Sequence, residues 1–152
     1  MTIESTTENK NANFSVLGFD LGKHTGWCFL DRINESNGLI LFDNFAQFYS
    51  SAMELIDLWK PSAIVIGKPN LFAKNSYNVF SFHTKLLGIL CLIAEKKGLV
   101  LFELNDSSSR KIVFGKGMKK KEAHALMPDF TDPDIADATI LARAQYQLLL
   151  NA

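Results

Sequence analysis

Residues 14–30, FSVLGFDLGKHTGWCFL, are the most informative segment of the chain about its fold. An apolar run from Phe14 to Asp20 ends in a carboxylate, a turn follows from Gly22 to Gly26, and a second apolar run continues to Leu30. Two apolar runs joined by a glycine-bounded turn are typical of a β-hairpin. We therefore predict two antiparallel strands, with Asp20 at the end of the first.

The rest of the chain predicts one more hairpin strand and then alternating helices and strands. A turn at 34–37 followed by an apolar run at 38–45 predicts a third strand, which completes an antiparallel meander. The resulting order, β-β-β-α-β-α-β-α, indicates an α/β fold with a mixed five-stranded sheet flanked by helices. The later predicted elements are a helix through Met53, Ile56 and Trp59 that ends before Pro61, a strand at 63–66, a long amphipathic helix at 76–97, a strand at 99–104, and a last helix opened by Asp132 and Pro133.

Length and composition limit the class of protein. The chain has 152 residues, 47% of them hydrophobic, and its 16 Lys+Arg balance its 16 Asp+Glu, which predicts one globular domain. We assign that domain to residues 14–152 and expect residues 1–13 to form a disordered polar tail. The longest apolar run, 86–94, is too short to cross a bilayer. Cys28 and Cys91 lack CxxC spacing, so we expect buried free thiols in a soluble, cytoplasmic protein.

Positive and negative charges are sorted into neighbouring segments near the C-terminus. Residues 109–121 contain bases and no acid, whereas residues 128–140 contain acids and no base. A solvated basic face is the simpler interpretation of the first segment. Binding of a phosphate next to a metal ion needs both signs together, so the adjacency of the segments favours such a site. The bases are Arg110, Lys111, Lys116, Lys119, Lys120 and Lys121, and the acids are Asp129, Asp132, Asp134 and Asp137.

Three carboxylates are candidate metal ligands. Asp134 and Asp137 stand three residues apart on the predicted last helix, where they share one face and repel each other. Converging oxygen ligands suit Mg²⁺, and two such ions about 4 Å apart can promote hydrolysis of a phosphodiester. The alternatives are that Asp20 is only a turn former and that the helix acids only complement the helix dipole.

Four segments together resemble the RuvC-type Holliday junction resolvases. They are the opening strand with its Asp, AIVIGKPNLFAKN before a helix with KLLG, RKIVFGKGMKKKEA, and DIADATILARA. The resemblance runs in order from Phe14 to Gln147 and suggests a phage or bacterial version. It implies the RNase H-like fold and an endonuclease that resolves Holliday junctions or other branched DNA in recombination and repair. The implied cofactor is Mg²⁺, with Mn²⁺ as an alternative, at two ions per active site and without a nucleotide.

The resemblance also implies roles for individual residues. Asp20, Asp134 and Asp137 correspond to the metal ligands, and Lys121 corresponds to a catalytic lysine that follows the Gly115 and Gly117 turn, where we expect close backbone approach. His24, His83 and His124 have no ligand spacing, so we predict none of them as a zinc ligand. The residues expected to contact DNA are Arg110, Lys111, Lys116, Lys119, Lys120 and Lys121, with Lys74 and the wedge candidate Phe72 in the loop after the fourth strand.

Resolution of a junction requires two symmetric nicks, so the resemblance implies a homodimer. Its expected interface is the long helix at 76–97. The positions singled out on that helix are Val79, Phe82, Leu86, Gly88 and Leu90, although the same stripe could simply cover the sheet.

Residue 67 departs from the pattern of the family. The family has a catalytic Glu at the end of the fourth strand, where this chain has Gly67, so a ligand that bridges two metal ions is absent. We therefore expect severely weakened metal binding and little cleavage, whether the glycine is engineered or natural. A branched-DNA-binding protein without catalysis is one alternative, and another RNase H-like phosphoryl-transfer enzyme is a second. The lack of a P-loop motif disfavours nucleotide hydrolysis.

Overall fold

The computed structural model describes residues 13–69 and 77–152. The elements in chain order are β1 (Val16–Asp20), β2 (His24–Leu30), β3 (Glu35–Leu41), α1 (Phe45–Trp59), β4 (Ala63–Gly67), α2 (Tyr77–Lys97), β5 (Val100–Leu104), α3 (Asp106–Phe114), α4 (Lys120–Ala125) and α5 (Pro133–Leu150). The strands form one sheet in the order β3-β2-β1-β4-β5. β1, β2 and β3 pair antiparallel, whereas β4 is parallel to both β1 and β5. The predicted α/β fold with a mixed five-stranded sheet is confirmed.

The third strand begins three residues earlier than predicted, because the preceding turn lies earlier. The side chain of Asp31 accepts hydrogen bonds from the backbone N–H groups of Ile33 and Asn34, at 2.8 and 2.6 Å. That turn lets Glu35 pair with Leu30, so residues 35–37 belong to the strand and not to the turn. The prediction of a turn at 34–37 was wrong because the Asp31 side chain closes an earlier turn, together with a hydrogen bond from the Asp31 backbone N–H to the Asn34 carbonyl at 3.0 Å.

Several helix boundaries also differ from those predicted. Asn44 caps α1 by accepting a hydrogen bond from the backbone of Gln47, at 2.9 Å, so Phe45 starts a helix and does not end a strand. The predicted N-cap of α5 is confirmed, because Asp132 accepts from the backbone N–H of Asp134 at 2.8 Å. The basic segment contains two short helices, α3 and α4, where the sequence predicted only two short pieces.

Two hydrophobic layers cover opposite faces of the sheet. Leu17 and Phe19 of β1 point to the layer formed with α1 and α2, whereas Val16 points to the layer formed with α5. This alternation follows from the period of two residues in a strand. β4 is buried along its whole length, as expected for a parallel strand in the middle of a sheet.

Helix α2 combines core residues with an apolar exposed side. Leu86 and Leu90 are fully buried against the sheet, so they cover it and are not available to a dimer interface. By length and composition α2 could also cross a membrane, a weak indication because core helices of soluble proteins pass the same test. Cys28 is buried as predicted, but Cys91 is exposed on α2, so the prediction was wrong for that residue.

Helix α5 packs very close to the sheet because two strand positions have no side chain. A Cβ at Gly18 would lie 2.9 Å from the carbonyl oxygen of Ala138. A Cβ at Gly26 would collide with the backbone of Asp134. The two glycines lie on the adjacent strands β1 and β2, so the first turns of α5 rest directly on the backbone of the sheet. This close approach carries the start of α5 to the end of β1, where Asp20 lies.

Candidate active site

Asp20 lies at the end of the central strand β1, with its side chain largely withdrawn from water. Burial raises the pKa of Asp20 to about 9, and the charges of Asp137, Asp134 and Asp106 add to the effect. The positive charge of Lys120 opposes it. A carboxyl in this setting resists ionisation near neutral pH unless more positive charge is brought to it.

The two acids of α5 lie beside Asp20, as the sequence predicted. Asp134 and Asp137 are both half-buried, one turn apart at the start of α5. Asp132 is used differently, because its side chain caps the helix by accepting from the N–H groups of Asp134 and Ile135. The structure therefore brings Asp20, Asp134 and Asp137 into one acidic pocket, and their role as metal ligands stays a prediction.

Helix α4 covers Asp137 with two nitrogen groups. Lys120 Nζ lies 2.9 Å from Asp137 Oδ2, and His124 Nε2 lies 2.7 Å from Asp137 Oδ1. Burial disfavours the charge of Lys120, but the hydrogen bond and charge of Asp137, with the charges of Asp20 and Asp106, raise its pKa overall. The spacing of four residues between Lys120 and His124 places both on one side of α4. That four-residue spacing is the feature of the sequence that indicates this pair.

The lysine that reaches the acidic pocket is Lys120, one residue before the one predicted. Lys121 is exposed on α4. The two neighbours point to different sides because successive helical residues are rotated by about 100°. The catalytic role assigned to Lys121 by resemblance stays untested, and Lys120 has the contacts expected for such a role.

A fourth carboxylate, which the sequence did not single out, comes from Asp106 at the start of α3. A Cβ added to Gly67 would lie 2.6 Å from Asp106 Oδ1. Although the residue as a whole is exposed, partial desolvation and the charge of Asp137 raise the pKa of its carboxyl, against the charges of Arg110 and Lys120. β4 runs parallel to its two neighbours β1 and β5, so the C-terminal ends of all three strands, and a residue just after β5, lie at the same edge as Asp20. The position of Asp106 directly after a predicted strand is the feature of the sequence that could have identified it as a site residue.

Of the basic residues predicted to bind DNA, Arg110 and Lys120 lie close enough to the pocket for their charges to act on Asp106. Arg110 is partly buried, and its Nε donates to the carbonyl of Met118 at 3.0 Å, which ties α3 to the segment before α4. Gly115 ends α3 with a φ of 80°, and a Cβ there or at Gly117 would contact nothing within 4 Å, so the expected close approach was wrong. We call the exposed lysines the basic rim: Lys111, Lys116, Lys119 and Lys121. Phe72 and Lys74 lie outside the described residues.

A groove of about 670 Å³ adjoins the turn after Asp20. Lys23 and His24 line one side of it, and the rings of Phe42, Phe45 and Phe82 are also part of its wall. The Phe42 and Phe82 rings are nearly parallel, at 6.1 Å between centroids. Exposed cations beside aromatic rings are a common feature of surfaces that bind single-stranded nucleic acid.

The pocket has the donor chemistry of a site for a divalent cation. Within residues 13–69 and 77–152, no three His, Cys, Asp or Glu side chains stand in a coordinating arrangement. Both oxygens of Asp137 are held instead by Lys120 and His124. Four carboxylates nevertheless meet there: burial is the main cause of the raised pKa of Asp20, and the charges of Asp137, Asp134 and Asp106 add to it. Carboxylate oxygens are the ligands that Mg²⁺ and Mn²⁺ prefer, so the residues present fit such an ion.

The fold matches solved structures of junction resolvases. RuvC of Thermus thermophilus, solved in complex with a Holliday junction substrate, is similar over 91% of this chain and 96% of that chain, with a TM-score of 0.74 and 14% sequence identity. The chain has the RuvC fold. The fowlpox virus resolvase, solved with Holliday junction DNA, matches with a TM-score of 0.57 and 15% identity, over 90% of this chain and 99% of that chain.

A mitochondrial resolvase is also similar. The yeast mitochondrial Holliday junction resolvase Ydc2 matches with a TM-score of 0.54 and 16% identity, over 99% of this chain and 90% of that chain. No family model and no curated protein matches the chain. At these identities the likeness establishes the fold, and the RNase H-like architecture predicted from the sequence is confirmed.

Proposed function

We propose that this chain is a structure-selective endonuclease that resolves Holliday junctions and other branched DNA. The observation that carries the proposal is the acidic pocket of Asp20, Asp134 and Asp137 beside Lys120, at the edge of a RuvC-type sheet. The basic rim next to the pocket suits the phosphate backbone of DNA. In this proposal the protein works in the cytoplasm of a bacterial cell or a phage-infected host.

Each part of the pocket has a separate task in phosphodiester hydrolysis. Asp20, Asp134 and Asp137 are the residues that would hold Mg²⁺ or Mn²⁺. Divalent cations bound in such a site activate the attacking water and stabilise the leaving oxygen. His124 holds one oxygen of Asp137, which fixes the orientation of that carboxylate. The products are a 5′ phosphate and a 3′ hydroxyl.

The positive groups bind DNA and balance charge. The Lys120 ammonium lies at the boundary between the carboxylates and solvent, where it can neutralise charge that builds up on the phosphate. The basic rim holds the flanking phosphates, which fixes the position of the strand without reading its sequence. Arg110 supports this surface, because its bond to Met118 fixes the segment between α3 and α4.

Two symmetric nicks require two pockets, so the proposal includes a homodimer with α2 at its interface. Tyr77, Val79 and Leu92 of α2 are 79%, 53% and 49% exposed, respectively, and apolar surface of this kind gains free energy when a second copy covers it. Val79→Lys should therefore convert the dimer into a monomer in sedimentation equilibrium, whereas Lys85→Glu, which changes an exposed charged residue of α2, should change the dimer less. A natural chain that sediments as a monomer would contradict this part.

The deciding experiment measures binding and cleavage separately. The natural chain should bind a four-way junction more tightly than linear duplex of the same sequence, with an affinity that falls as salt rises. Addition of Mg²⁺ should then produce paired nicks across the junction. Equal affinity for junction and duplex would refute the proposal.

The same binding and nicking assays test whether Gly67 prevents cleavage. Tight junction binding without nicks, restored by Gly67→Glu, would support the binding-only alternative that Gly67 favours. Nicking by the natural chain would show that a carboxylate at position 67 is not required.

A further inference from the structure

We propose that Asp106 supplies the carboxylate that the fourth strand lacks at Gly67, so that the acidic pocket is completed from the segment after β5. This inference rests on the proposed function, because it concerns the same cation site. If it is correct, Gly67 does not remove a ligand from the cation site, because Asp106 supplies that ligand from a different position in the chain.

The register of the sheet brings Asp106 to Gly67. Gly67 at the end of β4 pairs with Leu104 at the end of β5, and the backbone N–H of Lys68 donates to the Leu104 carbonyl at 2.8 Å. Asp106 follows Leu104 by two residues. Its carboxylate therefore begins at the same edge of the sheet as a side chain on residue 67 would.

The Asp106 carboxylate occupies its position because residue 67 is a glycine. Asp106 Oδ1 lies 2.6 Å from where the first side-chain atom of residue 67 would be, closer than two non-bonded atoms can stand. Any larger residue at 67 would displace the Asp106 carboxylate. The missing side chain at 67 thus provides the space in which the oxygen of Asp106 lies, beside the strand end where the resemblance places a Glu.

The helix cap does not explain this position of the carboxylate. Asn105 caps α3, with its side-chain oxygen accepting from the backbone N–H of Ser107 at 2.9 Å. An acid in the first turn can complement the helix dipole from any exposed orientation. Asp106 instead lies against Gly67, within electrostatic range of Asp20 and Asp137. A role in the pocket accounts for that orientation.

The test compares Asp106→Asn with a matched control and with a transposed carboxylate. The control is Glu103→Gln, which removes an exposed acid three residues earlier whose charge acts on His83 and Cys91 instead of on the pocket. The transposed variant is Gly67→Glu combined with Asp106→Ala. Binding of MnCl₂ to the DNA-free protein is measured by titration calorimetry, and nicking of a four-way junction is measured in Mg²⁺.

We expect Asp106→Asn to weaken Mn²⁺ binding at least about tenfold and to slow nicking, because one charged ligand is lost. Glu103→Gln should match the natural chain, and the transposed variant should recover most of the affinity. Mn²⁺ affinity in Asp106→Asn equal to that of the natural chain would overturn the inference, as would a natural chain that does not bind Mn²⁺. Circular dichroism confirms folding, and if Asp106→Asn is unfolded, Asp106→Ser is the variant that decides.

The failure of this inference differs from the failure of the proposed function. A natural chain that prefers junctions, binds Mn²⁺ and nicks, with no effect of Asp106→Asn, retains the function and loses the Asp106 ligand. A natural chain with no preference for junctions over duplex loses the function, whatever the calorimetry gives.

Discussion

Replacement of Asp20 by Asn should make the metal-free protein more stable, although it removes a proposed ligand. The ordinary pKa of this carboxyl is 3.8, and burial with three neighbouring acids raises it to about 9 in the folded chain. Between these two values the unfolded chain is ionised at this group while the folded chain resists ionisation. Asp20 therefore does not destabilise the folded protein below its ordinary pKa of 3.8. Above that pH it lowers the free energy of unfolding, and this effect grows until the pH reaches about 9.

The size of the effect follows from the width of that interval. One pKa unit corresponds to about 1.4 kcal/mol, so at about pH 7 the ceiling on the cost is roughly 4 kcal/mol. A domain of this size changes its Tm by about 2 to 4 °C per kcal/mol. Asp20→Asn should thus raise Tm by several degrees at neutral pH, and by little at pH 4.

The assay is thermal unfolding in EDTA at several pH values between 4 and 8.5, followed by circular dichroism. Asp129→Asn is the control, because it removes an exposed acid, and its stability should change by no more than about 0.5 kcal/mol. When Mn²⁺ is added, Tm should rise for the natural chain and not for Asp20→Asn. A variant less stable than the natural chain at pH 8, or a gain that does not grow with pH, would refute the electrostatic account of the pocket.

Three further predictions concern packing, charge balance and DNA binding. Gly18→Ala should lower the free energy of unfolding by about 1 to 3 kcal/mol, because its Cβ would press on α5. Gly88→Ala, at an exposed position of α2, should raise it by about 0.5 to 1 kcal/mol. Denaturant unfolding measures both changes, and changes of the same sign would contradict the packing of α5 on Gly18. Lys120→Met should slow nicking but tighten Mn²⁺ binding several-fold in calorimetry, because the positive charge beside Asp137 is removed. Weaker Mn²⁺ binding would contradict the role of Lys120 in balancing the charge of Asp137. Lys116→Ala should weaken junction and duplex binding alike and reduce the salt-dependence slope by about one unit, and a loss for junctions alone would place Lys116 at the crossover.

Local patterns in the sequence were sufficient for most of the elements. The hairpin around Asp20 and the N-cap at Asp132 depend on contacts between residues near in the chain. The strand at 63–66 pairs with distant residues of β1 and β5, but its short, continuous apolar run was enough to predict it. The third strand was misplaced because the turn before it is closed by hydrogen bonds of the Asp31 side chain and backbone, which the apolar pattern does not reveal.

The sequence also identified three of the four carboxylates in the pocket. Asp20 ends a strand, and Asp134 and Asp137 share one face of a helix, so these placements follow from the periods of the two elements. The packing of α5 against β1 and β2 could not be predicted from these periods. It depends on Gly18 and Gly26, whose importance appears only when α5 is seen resting on them.

The order of the elements and the residue types at the sheet edge could be predicted from local patterns of residues. Which of these residues contact each other depends on how the elements pack. Lys120 and not Lys121 reaches Asp137 because of the rotation of α4 about its axis, and Asp106 reaches Gly67 because two parallel strands end side by side. Such contacts join residues that are far apart in the chain, and neither helical period nor strand alternation specifies how separate elements are aligned.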